Sequence, residues 1–112
     1  MIAEWIRKVC LSFPDSTESV QWGNNLVFKV RGKIFAIAGL DPGGQCVSFK
    51  CTLESFAELV ERDGIIPAPY LARASWVTLE REDALPRPEL KARLRQSYDL
   101  VFAKLPKNKK KR

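Results

Sequence analysis

Leu26-Val27-Phe28-Lys29-Val30-Arg31-Gly32-Lys33-Ile34-Phe35-Ala36-Ile37-Ala38 alternates, turns and alternates again. On its first arm Leu26, Phe28 and Val30 share one parity and point inward, while Val27 and Lys29 point outward, the pattern of a strand with one buried face. Arg31-Gly32 has turn composition. On the second arm both parities are mostly apolar, which predicts an interior strand covered on both faces. A connection this short joins antiparallel strands, because a parallel crossover takes a dozen residues or more.

The same grammar extends outward. Ser19-Val20-Gln21-Trp22 reads as a strand that turns through Gly23-Asn24-Asn25, and Asp41-Pro42-Gly43-Gly44 is a strong breaker. From Gln45 to Cys51 a further strand sets Val47, Phe49 and Cys51 against Cys46, Ser48 and Lys50. The result is an antiparallel meander. Helices flank it. In the first twelve residues Ile2, Trp5, Ile6 and Val9, followed by Phe13, recur at helical spacing. Thr52 is a natural N-cap for a second helix with core stripe Leu53, Phe56, Leu59 and Val60, and Gly64 is placed to end it. Two prolines make Ile65-Ile66-Pro67-Ala68-Pro69-Tyr70 a rigid loop, and Trp76-Val77-Thr78-Leu79 reads as a short last strand. In the C-terminal helix Pro88 takes the first position, and Leu90, Leu94, Tyr98, Val101 and Leu105 form the stripe. Glu89 with Arg93 and Arg95 with Asp99 are i,i+4 pairs, and Pro106 marks the end. The elements therefore read as an antiparallel meander flanked by helices.

Length and composition agree. A chain of 112 residues with 46% hydrophobic and 29% charged residues supports one compact domain with a core, and excludes disordered and fibrous classes. The formal net charge of +6 is local. Lys104, Lys107, Lys109, Lys110, Lys111 and Arg112 account for all of it, leaving 13 basic against 13 acidic residues before them. Residues 1–105 are read as a single domain and 106–112 as a disordered basic tail. No window approaches the ~18 apolar residues of a membrane span, and the first residues lack a basic region leading into an apolar run. A cytoplasmic location without membrane anchoring is expected.

Catalytic chemistry finds little to work with. The chain has no histidine, and Cys10, Cys46 and Cys51 are too few for a closed zinc site or a disulfide framework. Glu80 and Glu82 bracket Arg81 as ordinary edge charges. Gly39-Leu40-Asp41-Pro42-Gly43-Gly44 lacks the Lys-Ser/Thr end of a phosphate loop. No catalytic residue, metal or cofactor is assigned, and the chain is read as a binding protein.

The candidate partner is a polyanion, DNA first and RNA second. Lys29, Arg31 and Lys33 surround a hairpin turn that projects charge like a wing, with Arg87, Lys91 and Arg93 as a second group. Lys104 and the tail residues Lys107, Lys109, Lys110, Lys111 and Arg112 add salt-sensitive attraction without a base code. The alternative is a protein-interaction or structural adaptor domain, with Trp22, Pro67, Pro69, Tyr70 and Trp76 as its recognition surface.

Taken in order, Trp22-Gly23, Phe28-Lys29-Val30, Gly32-Lys33 with Phe35, Val47-Ser48-Phe49-Lys50, Pro67-Ala68-Pro69-Tyr70, Trp76-Val77 and Ser97-Tyr98-Asp99-Leu100-Val101 with Lys104-Leu105 extend through nearly the whole chain. This set resembles the MmcQ/YjbR family of small bacterial proteins. The resemblance implies an α+β fold of CyaY-like or double-wing topology, a curved antiparallel sheet packed against N- and C-terminal helices with a further helix inserted before the last strand region, and the family's DNA-binding designation. Gln21 and Ser75 stand where relatives often carry Pro and His. The second departure argues against a shared histidine chemistry.

Overall fold

The computed structural model describes residues 2–41, 46–69 and 74–106. Its elements run α1 (Ile2–Leu11), β1 (Ser16–Gln21), β2 (Asn25–Val30), β3 (Lys33–Gly39), β4 (Val47–Lys50), α2 (Leu53–Leu59), β5 (Ile65–Pro67), β6 (Trp76–Leu79) and α3 (Arg87–Ala103). The strands form one antiparallel sheet in the order β1-β2-β3-β4-β6-β5. The helical stripe of α1 and that of α3 pack on one face, where Ile6, Cys10, Leu90, Leu94 and Tyr98 meet Phe28, Val30, Phe49, Val77 and Leu79 in a single core.

The Arg31-Gly32 turn is a two-residue hairpin: both residues have positive φ, 51° and 86°, and Val30 pairs directly with Lys33. Gly supplies the second of these conformations without a Cβ penalty. Beyond the turn the ladder slips. Phe28 pairs with Ala36 but Lys29 with Ile34, so Phe35 is an extra residue, a β-bulge. The bulge lets the apolar run serve two environments. Phe35, Ala36 and Ala38 enter the core, while Ile34 and Ile37, three apart, both reach the opposite face.

That opposite face corrects one expectation. Among the described residues no helix covers it; β3 is buried by helices on one side and lines a groove on the other. Val27, expected to point outward, is fully buried on the groove side, where it stands between Ser19 and Ile37 in the ladder. Four further differences are local. β1 begins at Ser16, because the Ser16 hydroxyl donates to the carbonyls of Cys10 and Phe13 and pulls the chain tightly off α1. Thr52 does cap α2, accepting from the Ser55 N–H at 3.1 Å, yet Leu53 is 74% exposed, and α2 ends at its C-cap Val60 before Gly64. The proline-containing segment is not wholly loop: Ile65–Pro67 adds an edge strand to β6, with Pro67 at its end, where a missing N–H costs least. Pro86 is the N-cap of α3, so Pro88 falls at the second helical position instead of the first.

Between β3 and β4 the ladder is completed by a side chain. The Gly39 N–H donates to the Cys46 carbonyl at 3.0 Å, and alternation makes Phe35 and Lys50, four residues along each strand, another hydrogen-bonding pair. The fully buried Ser97 hydroxyl from α3 sits between them instead. It accepts from the Lys50 N–H at 2.9 Å and donates to the Phe35 carbonyl at 2.6 Å. Next to it Tyr98 packs edge-on to Phe35 at 5.4 Å and against Phe13 at 5.2 Å, and its hydroxyl donates to the Pro14 carbonyl.

Two outcomes follow. Ser97→Ala strands a buried donor and a buried acceptor and is expected to cost about 1–3 kcal/mol in urea unfolding, with Ser97→Thr retaining more stability than Ala. The second concerns Glu89, whose carboxylate receives Arg62 at 2.6 and 3.1 Å and is held below the usual glutamate range chiefly by that bond. A depressed folded-state pKa contributes stability above the ordinary glutamate pKa and loses it as pH falls through the lowered value. Glu89→Gln is therefore expected to flatten the acid side of the stability profile, measured by thermal melting from neutral pH downward.

Candidate binding groove on the open sheet face

The uncovered sheet face forms a groove of about 620 Å³. Ile34 and Ile37 from β3 make its floor, with Ser48 from β4 beside them. Ser48 pairs with Thr78 across the ladder, and their hydroxyls bond each other at 2.7 Å, so this polar strip is internally satisfied. Trp76 lies on one flank with Ala68 and Pro69, and Trp22 on the other, delivered by the β1–β2 turn.

Both tryptophans depend on unusual backbone. Trp22 has φ of 50° and is 61% exposed, an uncommon conformation for a bulky residue, with the Asn25 amide donating to its carbonyl at 2.9 Å. Ser75, immediately before Trp76, has φ of 62°, and its carbonyl accepts from the Cys51 N–H. The protein thus holds disfavoured backbone conformations at two places beside the same groove.

A second, smaller pocket of about 350 Å³ adjoins the first and shares Ile34 and Trp76 with it. Lys33, Lys50 and Lys104 line it, with Val101 from α3 and Leu105 just beyond its end, and no carboxylate is among its lining residues that are described. Lys29 stands across the ladder from Ile34, on the same side. The Lys50 ammonium donates to the Ala74 carbonyl at 2.6 Å, and its pKa is lowered, first by burial and then by repulsion from Lys104.

The candidate basic residues therefore separate. Lys33 and Lys104 converge and gain Lys50, which charge reading along the chain did not single out because it sits in a strand between apolar residues. Arg31 turns back to Asp15 at 2.9 Å, and so does not extend as a free wing. Arg87 lies over the Trp5 ring at 5.1 Å and within 3.9 Å of Glu82. Arg93 is largely buried between the Ser55 hydroxyl, Glu58 and Glu89, a tie between α2 and α3. Lys91 is exposed on α3, apart from the lysine pocket. Of the aromatic and proline surface, Trp22, Pro69 and Trp76 come together at the groove, while Pro67 belongs to β5. Tyr70, Lys107, Lys109, Lys110, Lys111 and Arg112 lie outside the described residues. Leu105 is 4% exposed, so the packed body reaches at least that far.

A family model for YjbR matches residues 11–100. The chain belongs to the YjbR family. The crystal structure of Deinococcus radiodurans protein DR2400, with domain DUF419, superposes with a TM-score of 0.84 at 28% identity, covering 96% of this chain and 83% of that one. No curated protein matches. The YjbR fold thus accounts for the sheet, the three helices and the insertion of α2 before the last two strands.

Among the described residues, no group of three or more His, Cys, Asp or Glu side chains is placed to hold a metal, and no helix is long and apolar enough to cross a membrane. The three thiols of this YjbR-family chain are all shifted away from thiolate. Burial alone pushes Cys10 far up, burial raises Cys51 despite Arg93 and Lys50, and burial with Glu82 and Asp83 raises Cys46. Nucleophilic cysteines need the reverse. With 5,5′-dithiobis(2-nitrobenzoate) at pH 8, partly exposed Cys46 is expected to react first and slower than free cysteine, and Cys10 only after unfolding.

Proposed function

We propose that this YjbR-family chain is a nucleic-acid-binding protein that acts by binding, without catalysis, and holds phosphates with Lys33, Lys50 and Lys104. The observation that carries the reading is the convergence of these three lysines on one pocket that, among the described residues, is lined by no carboxylate. Elsewhere on the described surface the arginines are matched by acids: Arg7 with Glu18, Arg62 with Glu89, and Arg81 with Asp63 and Asp83. A phosphate arriving at the lysine pocket displaces no internal partner ion. It also relieves the repulsion between Lys50 and Lys104 that lowers the Lys50 pKa.

Lys104 is also where the basic C-terminal sequence starts, so the pocket and the tail charges are joined in the chain. Together they favour a backbone-directed, salt-sensitive interaction with little sequence preference. DNA is the proposed partner. The wing contributes through Lys33 and Lys29, with Arg31 committed to Asp15.

Fluorescence anisotropy with single- and double-stranded DNA and RNA at several salt concentrations tests the proposal. Three proteins are compared: the full chain, Lys33→Gln/Lys104→Gln, and a chain ending at Pro106, which keeps the buried Leu105. For every phosphate that a variant no longer neutralises, the slope of log affinity against log salt is expected to fall by about 0.9 on duplex DNA. Equal affinity and slope for all three proteins would sink the assignment.

A further inference from the structure

We infer that the groove between Trp22 and Trp76 binds a small amphiphilic carboxylate, its apolar body on Ile34 and Ile37 and its carboxylate at Lys33, Lys50 and Lys104. The inference does not rest on nucleic-acid binding: it shares the lysine pocket with that reading and adds the apolar groove, which phosphates do not use.

Four observations converge on this chemistry. The groove lies in the size range of small-molecule sites, which are mostly apolar with a few placed polar groups. Besides the indole N–H groups of Trp22 and Trp76, its polar side chains are Asn25 and Ser48, which have partners inside the protein, the Trp22 carbonyl and Thr78. A sugar or a free base edge would leave donors and acceptors unpaired there, whereas an alkyl chain or aromatic ring would not. Charge is confined to one end, since the lysine pocket meets the groove at Ile34 and Trp76. An occupant that spans both must therefore be apolar along its length and anionic at its tip. Finally, Trp22 is held largely in solvent in a left-handed conformation, so the fold keeps an aromatic wall standing at the groove's edge.

The lysine end also sets the sign of the ligand. Placing a cation there would add to the mutual repulsion of Lys50 and Lys104, while a carboxylate accepts from both. A neutral chain would gain the apolar contacts alone. Headgroup charge is thus the discriminating variable.

The experiment is a titration of the full-length chain with sodium dodecanoate, dodecanol and dodecyltrimethylammonium below their micellar concentrations, followed by calorimetry and tryptophan emission. Dodecanoate is expected to bind saturably and at least about tenfold more tightly than the other two. Lys33→Gln/Lys104→Gln should remove most of that preference while leaving the weaker, charge-independent binding. Ile37→Asp should weaken dodecanoate at least about tenfold. Because Ile37→Asp can unfold the sheet, amide shift mapping on the unmodified protein provides a second readout, with perturbations expected at Ile34, Ile37, Ser48 and Lys50.

Equal affinity for the three headgroups, shifts confined to other surfaces, or no saturable binding would each overturn the inference. So would a purified protein partner seated in the groove that dodecanoate fails to displace. None of these outcomes bears on the salt slope with nucleic acid. An absent salt slope with intact dodecanoate binding would reject the proposed function alone.

Discussion

The hydroxyl of Ser97 replaces a backbone hydrogen bond at the point where the sheet is irregular. Phe35 is the bulged residue of β3, and the Phe35–Lys50 position is where β3 and β4 would otherwise exchange their next ladder bond. A helix side chain takes that place, donating to one strand and accepting from the other. Buried backbone groups left open cost more than a made hydrogen bond gains, so α3 is tied to the centre of the sheet at this position and register. Tyr98 follows directly, placing its ring on Phe13 and Phe35 and its hydroxyl on Pro14. The segment that follows α1 and the middle of α3 are thereby fastened to the same bulge.

The groove is the other consequence of that bulge. In a regular strand Ile34 and Ile37 would face opposite sides, one toward the helices and one away. One inserted residue brings both to the open face and lets Phe35 fill the core beneath Ser97. The apolar floor, the seat of α3 and the closeness of Lys33 to the end of α3 are therefore parts of one arrangement. Charge is sorted along the same division. Guanidinium groups around α2 and α3 are occupied by carboxylates or aromatic rings, whereas no acid among the described residues lines the lysine pocket.

Legibility followed the range of the interactions. α3 could be read because its stripe of Leu90, Leu94, Tyr98 and Val101 repeats at the helical period, and the β2–β3 hairpin because alternation flanks a turn. Thr52 was readable as a cap because capping is a contact between neighbours. β5 was hidden by Pro67, whose residue type argues against a strand until the position is known to be the end of an edge. Leu53 carried the right residue type for the α2 stripe, but the fold leaves that position exposed. Lys50 entered only within the Val47-Ser48-Phe49-Lys50 motif and not as a candidate contact, since a single lysine in an alternating strand reads as an ordinary outward residue.

The sequence by itself determined the α+β class, the antiparallel meander, the flanking helices, the YjbR membership, and the placement of the formal charge excess in residues 104–112. All of these rest on local periodicity, turn chemistry, ordered motifs or arithmetic. Only the tertiary structure decided that the second apolar face of β3 lines a groove, that Trp22 and Trp76 flank it, and that Lys33, Lys50 and Lys104 share a pocket while Arg31 and Arg93 are engaged elsewhere. These depend on a one-residue bulge and on the docking of α3 across two strands. A shift of one residue in register reverses every side chain beyond it, so no pattern along the chain could have settled which faces meet.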